Sequence, residues 1–249
     1  MIAWRREGEG PPVLLLHGVG GDGTHWDAIA RALRERASVI TMDLRGHGRS
    51  ERIGAPVTAH DLAQDAVTVL DEAGVACCAV AGFSLGGAVA LALALDHPER
   101  VSKLAVIGTV CGRTREERSR ALDRIELLRE QGVAALAEAN RSRWFTDAFQ
   151  AAHPDIVAQR VAQVEACDPA SYGYAFAVFC TADFADRLHE IRVPTLVLTG
   201  ENDVAATPRM AQLMGDRVAG AQVRVLEGLL HSLLIEAPGK VATELARFL

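Results

Sequence analysis

The segment Gly82-Phe83-Ser84-Leu85-Gly86-Gly87 sets a serine between glycines, after an apolar run over 75–81 and before another over 88–95. The pattern G-x-S-x-G at a strand-to-helix junction lifts a hydroxyl onto a tight, strained turn that tolerates no neighbouring side chains. The hydroxyl then sits at a helix N-terminus, where unpaired N–H groups and the positive end of the dipole favour a developing negative charge. A serine is a poor nucleophile until a base takes its proton. His231 is the candidate base, imidazole being the side chain suited to general base catalysis near neutral pH. A carboxylate must hold that ring in the productive tautomer and stabilise the imidazolium, and Asp203 is the candidate. The rival acids Asp183 and Asp186 fall in a helical stretch, and Glu227 falls one strand end too late. A second glycine-rich segment is His17-Gly18-Val19-Gly20-Gly21. Where it lies beside the serine, the N–H of Val19 joins that of Leu85 as an oxyanion donor. His17 reads as a buried histidine bracing that loop, and Asp43, Arg45 and His47 as scaffolding of another.

These side chains need strands that end side by side. Short apolar strands are predicted over 2–7, 12–16, 39–42, 75–81, 101–108, 193–199 and 222–226. Helical periodicity predicts helices over 24–36, 58–72 and from the serine turn to Asp96, where His97-Pro98 stops the chain. Two more follow at 208–216 and 238–249. Alternation of strand and helix implies a parallel sheet in a doubly wound layer, with ligand loops at the carboxyl ends of the strands. Ser84, Asp203 and His231 all fall in such loops. From 111 to 190 the rhythm is helical, so the expected division is a core of 1–110 and 191–249 and a helical lid of 111–190. The aromatic cluster Tyr172, Tyr174, Phe176 and Phe179 is expected in the core of that lid.

Composition narrows the function classes. The 249-residue chain carries a net charge of -6 with no block of like charge, so no basic footprint for nucleic acid is visible. Arg113, Arg115, Arg118, Arg120 and Arg124 alternate with acids and read as a solvated helix face. No apolar run reaches the ~18 residues of a membrane span, and the N-terminus lacks an apolar signal core, which predicts a cytoplasmic protein. The cysteines are odd in number, at 5, and lack metal-site spacing; Cys77 and Cys78 read as small core residues. No metal or other cofactor is expected, and the oligomeric state stays open between monomer and homodimer.

The order serine, acid, histidine, together with His17-Gly18-Val19-Gly20-Gly21, Asp43-Leu44-Arg45-Gly46-His47-Gly48-Arg49-Ser50, Gly200-Glu201-Asn202-Asp203 and His231-Ser232, resembles the α/β-hydrolase superfamily. The resemblance implies an α/β fold with a doubly wound, mostly parallel sheet and a helical lid inserted after the sixth strand. Within that superfamily, Arg143-Trp144-Phe145-Thr146 with His153-Pro154, then Asp168-Pro169-Ala170-Ser171-Tyr172, is similar to 3-oxoadipate enol-lactonases. This implies an enzyme of aromatic-compound catabolism that hydrolyses a small ester or lactone through an acyl-enzyme on Ser84. An enol-lactone carries a carboxylate, for which Arg143 is the candidate partner, with Trp144 and Phe83 as further substrate contacts. The segment His231-Ser232-Leu233-Leu234-Ile235-Glu236 is closer to general esterases and C–C hydrolases. A C–C bond hydrolase of ring-cleavage products and a general carboxylesterase or perhydrolase therefore remain alternatives. A ligand receptor on the same fold is disfavoured by the full set of reactive residues.

Overall fold

The computed structural model describes residues Met1–Leu249. Its centre is a sheet of 7 strands. They are β1 (Trp4–Glu7), β2 (Pro12–Leu16), β3 (Ser38–Met42), β4 (Cys78–Phe83), β5 (Val101–Ile107), β6 (Thr195–Gly200) and β7 (Gln222–Leu226). The order across the sheet is β1-β3-β2-β4-β5-β6-β7. Only β1 runs antiparallel, along β3 (Trp4 opposite Met42), while every other pairing is parallel. The first two strands, neighbours in sequence, do not pair, because β3 lies between them. The strand order reverses between β2 and β4, which pair with Leu16 opposite Gly82. That reversal opens a crevice at their carboxyl ends.

Alternating side chains divide the core into two layers. Leu14 and Leu16 of β2, Val80 of β4 and Leu104 and Val106 of β5 face one layer. Val13, Leu15, Ala81, Ala105 and Ile107 face the other. Leu14, Leu15 and Leu16 are each 0% exposed, and burying one such side chain contributes about 2 kcal/mol. Strands apolar on both faces need helices on both sides. Helices α1 (Asp27–Leu33) and α10 (Pro238–Phe248) pack together over the smaller layer. Helices α2 (Ala59–Glu72) and α3 (Leu85–Asp96) pack together over the larger. Thr58 opens α2 with a reciprocal bond to Asp61 that satisfies orphan N–H groups at the helix start. Every residue of α3 from Leu85 to Leu95 is buried. The first helix is shorter than the expected 24–36: a 3-10 turn over Gly23–Trp26 precedes it.

Between β5 and β6 the chain is helical: α4 (Arg115–Trp144), α5 (Asp147–Ala152), α6 (Pro154–Glu165) and α7 (Pro169–Thr181). This segment follows the fifth strand, not the sixth, because only β1 to β4 form before Val101. Gly132, at φ 81, breaks α4 into two helical pieces. After β6 come α8 (Pro208–Arg217) and, beyond β7, the short α9 (Leu233–Glu236). No helix is long and apolar enough to cross a membrane. The Cys77–Cys78 reading is half corrected: Cys78 is buried, but Cys77 precedes β4 and is exposed.

Candidate active site

The sequence builds the serine turn from β4 and α3. Ser84 has φ 55, the only positive value at a residue other than glycine. A Cβ at Gly82 would overlap the Gly86 carbonyl, and one at Gly86 would overlap the carbonyl of Leu16. The turn is therefore closed to any larger residue at those two positions. Backbone bonds from Ser84 N–H to Ile107 (2.8 Å) and from Gly87 N–H to Ser84 (3.0 Å) hold it.

The expected partners converge on it. His231 Nε2 lies 3.1 Å from Ser84 Oγ, and His231 Nδ1 lies 2.6 Å from Asp203 Oδ2. With the Nδ1 proton donated to the carboxylate, Nε2 is left to accept from the hydroxyl. Asp203 Oδ1 accepts from the N–H groups of Ala205 (2.8 Å) and Ala206 (2.9 Å), which fixes the carboxylate from behind. The three residues come from the loops after β4, β6 and β7. Ser84, Asp203 and His231 are 2%, 2% and 7% exposed. The rivals lie elsewhere: Asp183 accepts from Gly112 and Ala185, while Asp186 and Glu227 are exposed.

The loop His17-Gly18-Val19-Gly20-Gly21 lies against the serine. A Cβ on Gly18 would sit 3.1 Å from Ser84 Cβ. Neither Val19 N–H nor Leu85 N–H donates to another backbone or side-chain group of the protein. His17 donates from Nδ1 to the Gly18 carbonyl (2.8 Å) and accepts at Nε2 from Leu44 N–H (2.9 Å). Burial lowers its pKa to about 3, so it is a neutral brace with both nitrogens occupied. Asp43 accepts from Gly23 (2.8 Å) and Arg49 (2.9 Å) N–H groups, and Arg45 pairs with Asp65, as scaffolding should. Burial also pushes the thiols of Cys78 and Cys111 up to about 12 and that of Cys180 to about 11, far from thiolate chemistry.

A cavity of about 390 Å³ opens over Ser84 and His231, between the strand-end loops and the helical segment. Phe83, Trp144 and Arg143 all line it, as do Tyr172, Phe176 and Phe179. Phe83 and Phe179 flank the His231 ring, at centroid distances of 5.2 and 6.3 Å. Two segments singled out in the sequence dock on each other here: Ser232 N–H donates to the Trp144 carbonyl (2.9 Å), and Thr146 donates to Glu236.

The arginines correct one expectation. Arg113 and Arg124, read as part of a solvated face, line the cavity and are partly buried. Arg113 donates to the Phe179 carbonyl (2.9 Å) and Arg124 to Asn140. No carboxylate pairs with Arg113, Arg124, Arg143 or Arg160. Burial lowers the pKa of the first three guanidiniums, and the charge of Arg143 lowers Arg124 further. The sequence offered no signal for Arg124 or Arg160, since acids interleave with the one and the other is a single cation on an amphipathic helix that also carries Asp155 and Glu165.

Residues 11–238 match the model of the alpha/beta hydrolase fold family. The chain belongs to the α/β-hydrolase fold family. Among curated relatives of this α/β hydrolase, an (E)-2-((N-methylformamido)methylene)succinate hydrolase of Acinetobacter baylyi is 29% identical, covering 94% of this chain and 89% of the relative. A 3-oxoadipate enol-lactonase of the same organism is also 29% identical, over 92% of this chain and 85% of its own length. The crystal structure of an enol-lactonase from Burkholderia xenovorans superposes with a TM-score of 0.89 at 29% identity, covering 99% of this chain and 95% of that one. The similarity to enol-lactonases expected from 143–146 and 168–172 thus extends over almost the whole α/β-hydrolase chain.

Proposed function

We propose that this α/β hydrolase is a serine hydrolase of small carboxylic esters or lactones whose substrate carries a carboxylate. The observation that carries the reading is the hydrogen-bond chain from Ser84 Oγ through His231 (3.1 Å) to Asp203 (2.6 Å), buried beneath the cavity. His231 takes the serine proton as Oγ bonds to the substrate carbonyl carbon. The resulting oxyanion is held by the N–H groups of Val19 and Leu85, neither of which has a partner in the protein. Losing one such donor costs about 3 kcal/mol of transition-state stabilisation. The alkoxide or enolate leaves with the proton from His231. Water then attacks the acyl group, His231 takes its proton, and Ser84 is released. Asp203 keeps the ring oriented and offsets the imidazolium charge.

The substrate's anionic group is argued from the cavity. Arg124 and Arg143 are two mutually repelling cations without a carboxylate partner, a costly arrangement that an anion relieves. The names of two relatives point the same way, one a succinate derivative and the other an oxoadipate lactone. Residues 111–190 act as the lid that carries these arginines, with Trp144 and Phe83 closing the apolar sides. A panel tests the assignment: a carboxylate-bearing enol-lactone, its neutral methyl ester, an open ester and a vinylogous diketone, each with Ser84→Ala as control. The expected result is Ser84-dependent hydrolysis of the lactone or ester, faster for the anion than for its methyl ester. Preference for the diketone assigns C–C cleavage instead, and turnover that survives Ser84→Ala removes the serine mechanism.

A further inference from the structure

Beyond the His17 brace at its start, the oxyanion loop has little of its own to hold it. Three of its five residues are glycine, and its internal backbone bond runs from Gly21 N–H to the Gly18 carbonyl at 3.1 Å. A loop so free in the chain must be fixed from outside for the Val19 N–H to keep one direction. His17 holds the Gly18 carbonyl and anchors the start of the loop on Leu44 N–H, whereas the Val19 and Gly20 carbonyls are held from α6. Arg160 donates from Nη2 to the Val19 carbonyl at 3.0 Å and from Nη1 to the Gly20 carbonyl. Its guanidinium lies 5.1 Å from the centroid of the Trp144 ring. Only 9% of the residue is exposed. A buried cation whose oxygen partners are two loop carbonyls and one amide is costly unless it holds something in place. One turn further along the same helix, Gln163 accepts from Arg160 (3.1 Å) and lies 2.7 Å from His25 Nε2. Its amide donates to Asp22 at 3.0 Å. The helix therefore grips both the middle of the loop and the residues that follow it. Between these grips Gly20, at φ +68, is covered: a Cβ there would lie 2.9 Å from Tyr172 and 3.0 Å from Val164.

From this geometry we infer that Arg160 is a positioning residue of the oxyanion hole, holding the Val19 and Gly20 end of the loop that His17 does not reach, which ties its formation to the docking of α6 on the loop. Arg160 acts through the Val19–Gly20 and Gly20–Gly21 peptides and not by touching the reacting carbonyl. The inference rests on the serine mechanism proposed above and fails separately from it. The test compares wild type, Arg160→Met and Arg160→Lys in the full chain on the best substrate of the panel. It reads kcat, KM, thermal midpoint and affinity for a trifluoromethyl ketone that forms a tetrahedral oxyanion on the serine. The expected result for Arg160→Met is a loss in kcat on the order of 10- to 100-fold, with KM changed less than about 3-fold and ketone affinity falling in step with kcat. Arg160→Lys, able to reach one carbonyl, recovers part of both. Unchanged kcat and ketone affinity overturn the inference, as does a rise in KM alone, which makes Arg160 a substrate contact. Equal losses in the two variants overturn it too. Should Arg160→Met not fold, Arg160→Gln is read by the same criteria. Turnover without Ser84 would defeat the mechanism itself, whereas a Ser84-dependent enzyme indifferent to Arg160 defeats only this inference.

Discussion

Ser84 stands at φ 55 with its hydroxyl 3.1 Å from His231, a strained placement that serves chemistry better than packing. Removing that one oxygen leaves the turn intact, so Ser84→Ala folds as the parent does and loses activity by roughly 10⁴-fold or more in kcat. Asp203→Asn leaves the geometry but offers the ring the wrong tautomer, and kcat falls by roughly 10²- to 10⁴-fold. Steady-state kinetics beside circular dichroism of each variant checks both. Arg143→Gln raises KM about 10-fold for a carboxylate-bearing substrate and leaves its neutral methyl ester unaffected; equal effects on the two remove Arg143 from the anion site. Ser84, Asp203 and His231 were legible in the sequence because each follows an apolar strand and the chemistry restricts the residue types. Arg124 and Arg160 were not, because a charge on a helix looks the same whether its face meets water or a cavity.

The oxyanion loop and the β3–α2 connection share a pair of buried histidines, His17 and His47, with ring centroids 5.1 Å apart. Burial lowers each from 6.5 to about 3 in the folded protein. Because the folded values lie below the unfolded ones, the unfolded chain binds these protons first as pH falls. The contribution of this pair to stability is thus full above about pH 6.5 and is lost toward pH 3, by about 1.4 kcal/mol per pH unit for each histidine, and buried His25, lowered to about 4, adds to the same slope. Urea unfolding between pH 7 and 4 measures the slope, and His47→Phe, which keeps a ring and removes the titration, lowers it by one histidine's share. An identical slope in that variant contradicts the assignment. At the serine turn, Gly86→Ala drives a methyl into the carbonyls of Leu16 and His17 and destabilises by about 3 kcal/mol. Strand positions were legible from apolar runs and helix ends from Thr58 and His97-Pro98. The short α1 was not, because a 3-10 turn and an α-helix share the same apolar spacing, and the break at Gly132 went unread although a glycine inside a helical pattern is the residue that can take φ 81.

At the scale of the whole molecule, a chain of net charge -6 keeps a group of unpaired arginines inside its cavity. On the proposed reading, the surface repels an anionic substrate that Arg124 and Arg143 attract inside the cavity. The parallel sheet and its helical insertion were legible from the alternation of strands and helices, and the five strands predicted before residue 111 place the insertion where the structure has it, against the sixth strand implied by the resemblance. What no linear reading supplied is the cavity itself, which forms only where α4, α6 and α7 meet the strand ends. All of this depends on Ser84 being the nucleophile. A fluorophosphonate probe followed by intact-mass and peptide mass spectrometry tests that most directly. The expected result is one adduct per chain, on Ser84, formed in wild type and absent in Ser84→Ala and in urea-unfolded protein. A folded enzyme that takes no label, or takes it on another residue, contradicts it.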